Sequence, residues 1–430
     1  MATAMGDWLI LAMHWGLLEM ITSTAYRARD AVKPSVQTSL LACMLLHSMT
    51  SLLAAEPTTS EFYRVSCPEV KIVVAGLSSE GWITWSNDAV GAAYLIERTY
   101  DLSTPHWEPI VRGVASNSIV SLKITDLAPP PGMRYLPGGM FTMGDILGDL
   151  NNATPVHMVL LSPFYLQERE VTVAQFAKVL QWAHERGKVA ISGDGKAVLD
   201  SKGTNLMEYG KYNSEIVFQS GSFGVRSNHA NSPAPYVSWY GAVSYCNWLS
   251  EIEGREPCYD LETWACDFTK EGYRLPTEAE WECAARGGYE GMRFPWGDTN
   301  VITHSRANYQ SSTNTVYDVS PTIGLHPDYA DNVPPSSPVG SFAPNNYGLY
   351  DMSGNVWEWV WDWSSRYSSA FQVNPLGPIS GEFAVFRGGS WLTKAGSTTV
   401  ASRYRSSRRY STVEDVGFRT AISFQPNSSR

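Results

Sequence analysis

After residue 55, this 430-residue chain has no run approaching the roughly 18 consecutive apolar residues that a membrane-spanning helix needs. The expectation is a mature chain without a span. Charge is also sparse. Asp, Glu, Lys and Arg make up 17% against 43% hydrophobic residues, a balance that fills cores and argues against disorder over most of the length. Positive charge is the scarcer sign, giving a net charge of −10. A nucleic-acid binder needs the opposite field to displace counterions from phosphate, so no nucleic-acid partner is expected. The eight histidines are scattered, with no pair at helical ligand spacing, which argues against a conventional zinc enzyme. There are only six cysteines, and no Cys, His or Met lies between Ser390 and Arg430. Heptads and internal repeats are missing too, which argues against coiled coils and solenoids.

What is plentiful is ring and turn. The chain carries 16 Trp, 22 Tyr, 35 Gly and 25 Pro, the composition of a loop-rich fold pinned by large side chains rather than of a helical bundle.

Residues 1–55 read as a targeting segment. Arg27, Arg29 and Lys33 precede an apolar run over 39–55, with Ala54-Ala55 as the small-residue cleavage site. An earlier apolar stretch, 8–21, is broken by His14 and Glu19. The expectation is export to the periplasm, the cell surface or the medium. Residues 60–128 form a first unit. Short runs at 70–75, 81–85, 92–97 and 118–124 are rich in Val, Ile, Tyr and Trp and separated by Gly, Asn, Asp and Ser, as antiparallel strands are. The unit resembles a fibronectin type III-like sandwich, with Trp85, Tyr94 and Trp107 as core rings. Residues 129–132, Pro-Pro-Pro-Gly, form a stiff linker.

Residues 133–424 alternate a few helices with long Gly, Asn, Pro and Ser loops. A strand is expected near 158–161. Val173, Phe176, Val179 and Leu180 at helical spacing predict a helix over 172–184, and a second is expected over 240–253. A third follows Pro276, where Thr277 and Glu280 make a capping box ahead of Trp281. Arg274 and Glu280 belong to buried polar networks, since a charge removed from water needs a partner.

Five stretches in order carry a resemblance across this unit. They are Pro-Gly-Gly-Met-Phe-Thr-Met-Gly at 137–144, Glu-Val-Thr at 170–172 and Arg-Leu-Pro-Thr-Glu-Ala-Glu-Trp-Glu at 274–282. The fourth is Gly-Asn-Val-Trp-Glu-Trp at 354–359, and the last is Arg-Gly-Gly-Ser-Trp at 387–391, completed by Gly-Phe-Arg at 417–419. The set resembles the formylglycine-generating enzyme, or sulfatase-modifying factor, family. The resemblance implies an α+β, C-type-lectin-like domain with little regular secondary structure.

Calcium needs six to eight oxygens, often from one irregular loop. The resemblance carries one calcium set to Asp351, Gly354, Val356 and Glu358 and another to Asn308, Tyr309, Asp331 and Val333. An ordinary salt-bridge role for these acids is the alternative. The family's copper(I), which oxidises a cysteine of a client sulfatase, is held by two cysteines whose positions here are Thr393 and Thr398. Copper(I) prefers soft thiolates, and a hydroxyl is no substitute. Of the family's disulfide positions, Cys246 faces Thr420 and the other falls on Ala285, two residues from Cys283. Cys258 and Cys266 are expected to pair with each other, as cysteines of an exported protein do. Ser390 and Trp391, with Arg403, Arg405, Arg408 and Arg409, are expected to line or border a cleft. Arginines there would grip a carboxylate or acidic peptide, or form a solvated charged strand.

Two functions compete. One is an exported, calcium-stabilised binding or accessory protein for a peptide or protein ligand, without copper chemistry. The other is a family enzyme performing oxidative modification of a peptide or small molecule, with non-haem iron. Iron-dependent relatives take histidine ligands from an added helical domain, which nothing in this sequence supplies. Catalysis is therefore left open, with no catalytic residue assigned.

Overall fold

The computed structural model describes residues 129–424, apart from 210–213 and 227–228, together with the backbone of eight earlier strands. Of the targeting segment only the backbone of two short strands is described, and the rings of Trp85, Tyr94 and Trp107 lie outside the described side chains. The chain divides into two compact units, one comprising Met1–Pro129 with Pro426–Arg430 and the other Pro130–Gln425. In the first, Ile72–Leu77, Trp82–Asn87 and Ile119–Lys123 pair antiparallel. Glu61–Ser66, Ala93–Thr99 and Glu108–Val114 form a second antiparallel set, extended by Leu9–Ala12 and Leu45–Leu46. The strands at 61–66 and 108–114 carry weaker apolar runs and were not expected.

The second unit mixes short sheets with few helices. One sheet is made of β1 (Met133–Leu136), β4 (Phe164–Gln167), β11 (Ala421–Ser423) and β5 (Tyr273–Arg274), antiparallel throughout. The end of the unit is thereby stitched to its beginning. A second sheet joins β2 (Gly139–Met143) and β3 (His157–Leu161), with β7 (Gln372–Val373) added parallel. The third places β6 (Trp357–Trp363) between β8 (Ala384–Arg387) and a parallel β10 (Val416–Gly417), with β9 (Arg403–Ser407) on the outer side of β8. The fourth and fifth quoted motifs thus meet on β6, β8 and β10.

The helices start where caps allow. In α1 (Val173–Glu185), Thr172 accepts from Gln175 N and the Gln175 side chain accepts from Thr172 N, leaving two fewer orphan donors. Its buried face is Val173, Phe176, Val179, Leu180 and Ala183. In α2 (Trp239–Ile252), Ser238 caps Gly241. Gly241 packs against the backbone at Leu206, where a Cβ would meet the carbonyl oxygen at 2.0 Å. The third helix, α3 (Glu278–Arg286), has the expected Thr277–Glu280 box and stops at Gly287, whose φ of 59° ends the helix in the left-handed region. Trp239, Trp281 and Trp359 are fully buried, which confirms rings as the pins of the core. Among the described residues no helix is long and apolar enough to cross a membrane.

Candidate functional site

The Gly-Gly-Ser-Trp turn leaves β8 through two residues with positive φ, Gly388 at 94° and Gly389 at 78°. A Cβ on Gly389 would fall 2.6 Å from Thr398 Cγ2, so the turn is pressed against one of the two threonines to which the resemblance carries a copper cysteine. Ser390 is buried and donates its hydroxyl to Asp415 Oδ2 at 2.6 Å. Burial pushes the Asp415 carboxyl above its ordinary range, against the pull of that hydrogen bond. Trp391 is buried with its indole N–H unpartnered.

Both threonines are committed. Thr393 Oγ1 accepts from Ser390 N at 2.8 Å and donates to Ser390 O at 3.1 Å. Thr398 is fully buried and donates to Ala395 O at 3.0 Å. The donor set is therefore two hydroxyls tied into their own turns, with no sulfur among them, and it does not fit copper(I). The four described cysteines are carried by α2 (Cys246), α3 (Cys283) and the loop between those helices (Cys258, Cys266), and all are free thiols. Cys258 and Cys266 meet, but as a hydrogen-bonded thiol pair and not as the expected disulfide. Burial raises Cys266, while its S–H bond to Cys258 lowers the latter.

The basic stretch is largely turned inward. Arg403 donates to Glu278 Oε2 and Ser365 O, each at 2.7 Å. Arg408 pairs with Glu382 on the surface. Arg409 lies between two indoles, 3.5 Å from the Trp239 ring and 3.6 Å from Trp363, and burial lowers its guanidinium to about 10. The side chain of Arg405 lies outside those described. None of the three described arginines has its guanidinium free beside Ser390.

The loop 351–358 is bound to the Gly-Gly-Ser turn. Gly354 N donates to Gly388 O and Trp391 N donates to Asn355 O, both at 2.8 Å. The two carboxylates of the loop have different partners. Glu358 is chelated by Arg419 through two hydrogen bonds of 2.7 Å and also accepts from Trp281 Nε1. A guanidinium seated on both oxygens puts a full positive charge where a calcium ion would approach, so Glu358 does not fit that ion. Asp351 fits better. Its Oδ2 accepts from Gly340 N, and its other contact is with the Glu170 carboxyl, neither acid having a conventional donor there. Glu170, fully buried, also has an unsatisfied oxygen, Oε2, and its other oxygen accepts from Asn355 Nδ2. Burial and the Asp351 charge raise Glu170 well above the carboxylate range. Two such groups facing each other need a shared proton or a cation between them. Gly354 and Val356 lie on the same buried turn, and Gly354 has φ 85°.

In the other calcium set, Asn308 and Tyr309 are buried, with Asn308 Nδ2 donating to Pro335 O and Tyr309 O engaged by His304 Nε2. Asp331 and Val333 are exposed on the neighbouring loop. Among the described residues no three His, Cys, Asp or Glu side chains gather as a metal set.

Sequence reasoning missed the acids around α3. Glu282 is fully buried between Arg286 and Arg387, each at 2.6 Å. Burial works to raise its carboxyl, but the two cations outweigh that and hold it below its usual range. Glu278 is shared by Arg387, Arg403 and Tyr367. The alternating acids of 278–282 were the available signal.

Residues 122–424 match the sulfatase-modifying factor enzyme 1-like domain. The chain is 33% identical over 320 residues to the formylglycine-generating enzyme of Thermomonospora curvata, covering 67% of this chain and 93% of that one. It is 31% identical over 313 residues to the mouse protein named inactive C-alpha-formylglycine-generating enzyme 2, covering 69% and 87%. Among solved structures, Treponema denticola variable protein 1 aligns at 26% identity and a TM-score of 0.48, covering 68% of this chain and 94% of that one.

Proposed function

Because this chain belongs to the sulfatase-modifying factor (formylglycine-generating enzyme) family, we propose that it is an exported binding or accessory protein of that family without copper-dependent cysteine oxidation. The observation that carries this reading is the commitment of Thr393 and Thr398 to Ser390 and Ala395. A copper(I) oxidase needs soft, ionisable ligands that are free to bind, and neither hydroxyl is soft or free. The mouse relative that carries the word inactive in its name supports the same reading.

What this chain keeps is the framework. The domain is read as C-type-lectin-like, and the strands of the first unit as a fibronectin type III-like module that presents it. The turn bearing Ser390 and Trp391 offers a buried hydroxyl–carboxyl pair and an unpartnered indole N–H, groups that orient a peptide or protein ligand by hydrogen bonding. Calcium stabilises the loop beneath it, with Asp351 and Glu170 as the carboxyl donors and the Gly354 and Val356 carbonyls beside them. The ion supplies the positive charge that would let both buried acids ionise.

The test uses the full chain incubated with a cysteine-containing sulfatase peptide, oxygen and either copper(I) or iron(II), followed by mass spectrometry of the peptide. The expected result is peptide retained with its cysteine intact. Conversion of that cysteine to the aldehyde with copper(I) would refute the proposal, and conversion with iron(II) would establish the family enzyme with non-haem iron instead.

A further inference from the structure

A cavity of about 540 Å³ opens at the N-terminus of α3, away from the Ser390 turn, none of whose residues lines it. One wall is the end of β6 with Asp362 and Trp363. The other is β7 and the loop after it, with Val373 and Leu376 at the mouth. Both of these apolar side chains are substantially exposed. Tyr367 and His157 meet edge to face at 5.0 Å along the side.

Asp362 is what sets the cavity apart. The residue is 5% exposed. Its Oδ2 accepts from Glu278 N at 2.7 Å, capping the helix. Its Oδ1 accepts from no donor among the described residues and faces Gly377 in the cavity wall, where an added Cβ would stand 2.8 Å away. None of the neighbouring cations forms an ion pair with Asp362, although Arg387, Arg403 and Arg409 each keep an unpartnered Nε and Arg366 lines the same cavity. Arg403 is taken by Glu278 and Ser365 O, Arg387 by Glu278 and Glu282, and Arg409 by Trp361 O and its two indoles. Glu280 has its own partner in Arg274. Asp362 is thus a buried acid without an ion pair among the described residues, opening onto space that a small molecule can enter beside Arg403 and Arg366.

We propose that this cavity binds a small primary ammonium ion with an apolar body, the nitrogen on Asp362 Oδ1 and the carbon chain against Val373 and Leu376. The ammonium supplies the missing counterion, and the exposed apolar mouth supplies the burial that holds the chain. Without a ligand, burial and the Glu278 charge push the Asp362 carboxyl up to about 8, so it carries its proton at neutral pH. Binding an ammonium ion requires the carboxylate, so the proton on Asp362 leaves to solvent as the ion pair forms. The groups that face Asp362 are Glu278 and Glu280 on or beside α3, Arg403 on β9 and Arg409 after it, with Arg366 at the rim. His157 and Tyr367 also line the cavity, Tyr367 bonded to Glu278, so the Asp362→Asn variant is what assigns any exchanged proton to Asp362.

The experiment is isothermal titration of the full chain with n-butylammonium chloride, and separately with sodium butyrate, at about pH 6 and about pH 8. The butylammonium affinity is expected to rise by up to about tenfold per pH unit over that interval. Asp362→Asn is expected to abolish binding. Val373→Arg, which adds a cation at the mouth and leaves the buried network untouched, is expected to weaken it at least tenfold with an unchanged melting temperature, so the inference stays testable if Asp362→Asn fails to fold. Three results would each overturn it: no butylammonium heat in the wild type, equal binding by both variants, or butyrate binding in place of butylammonium through Arg366. None of these bears on the peptide-oxidation test above, so the two readings stand or fall separately.

Discussion

Arg419 grips Glu358 with two hydrogen bonds of 2.7 Å while both side chains are fully buried. The pair ties β6 to the chain end, and the same guanidinium donates to the carbonyls of Gln167, Glu168 and Tyr350. Glu358, to which the resemblance carries a calcium ligand, anchors a buried cation that gathers three segments.

Removing that cation leaves Glu358 buried without a partner. Arg419→Met is expected to lower unfolding stability by about 3–5 kcal/mol, read from the urea midpoint. Removing Glu358 as well recovers only part of the loss, because the backbone carbonyls stay unsatisfied. A loss within a few tenths of a kcal/mol would contradict the clamp.

The Gly-Gly turn is equally specific. Gly389→Ala meets Thr398 Cγ2 at 2.6 Å and Ser397 O at 2.8 Å while holding a φ of 78°. The expected cost is about 1–3 kcal/mol in thermal or urea unfolding. An unchanged midpoint would mean that the turn does not pack against Thr398.

Asp362 gives a pH signature. Its carboxyl titrates at about 8 in the folded chain and near 3.9 when unfolded. Between those values the folded state holds a proton that the unfolded state has lost, so raising pH across this window costs stability, by at most about 1.4 kcal/mol per unit. Above the folded value both states are ionised and the slope ends. Asp362→Asn is expected to remove this component of the slope, measured as unfolding free energy against pH.

Glu170 and Asp351 give a metal signature. Adding a calcium chelator is expected to lower the melting temperature by several degrees, by mass action on the folded state. Glu170→Gln is expected to shrink that shift. A chelator-insensitive melting curve, together with no calcium in the purified protein, would remove calcium from this loop.

The helices were legible because caps and apolar spacing are local. Thr172 and Gln175, or Thr277 and Glu280, lie three residues apart, and the buried face of α1 repeats at helical period. Arg274 and Glu280 were each expected in a buried polar network, and the structure pairs them with one another. Glu170 and Asp351 were not legible as a pair, because their meeting is made by the folded chain across a separation no local pattern records. Arg403 and Arg409 were expected to border a cleft or to lie in a solvated charged strand, yet one reaches across to Glu278 and the other slides between Trp239 and Trp363. Only tertiary packing decides whether an arginine faces water or an indole. Strands of two residues, such as β7 and β10, carry too little sequence to announce themselves.

The most direct measurement is copper(I) uptake in competition with a chromogenic copper(I) chelator, comparing the wild-type chain with a Thr393→Cys/Thr398→Cys double variant. Hydroxyls bonded to Ser390 and Ala395 predict that the wild type leaves the chelator loaded, while the double variant withdraws the metal. Stoichiometric withdrawal of copper(I) by the wild type would contradict the absence of a copper centre.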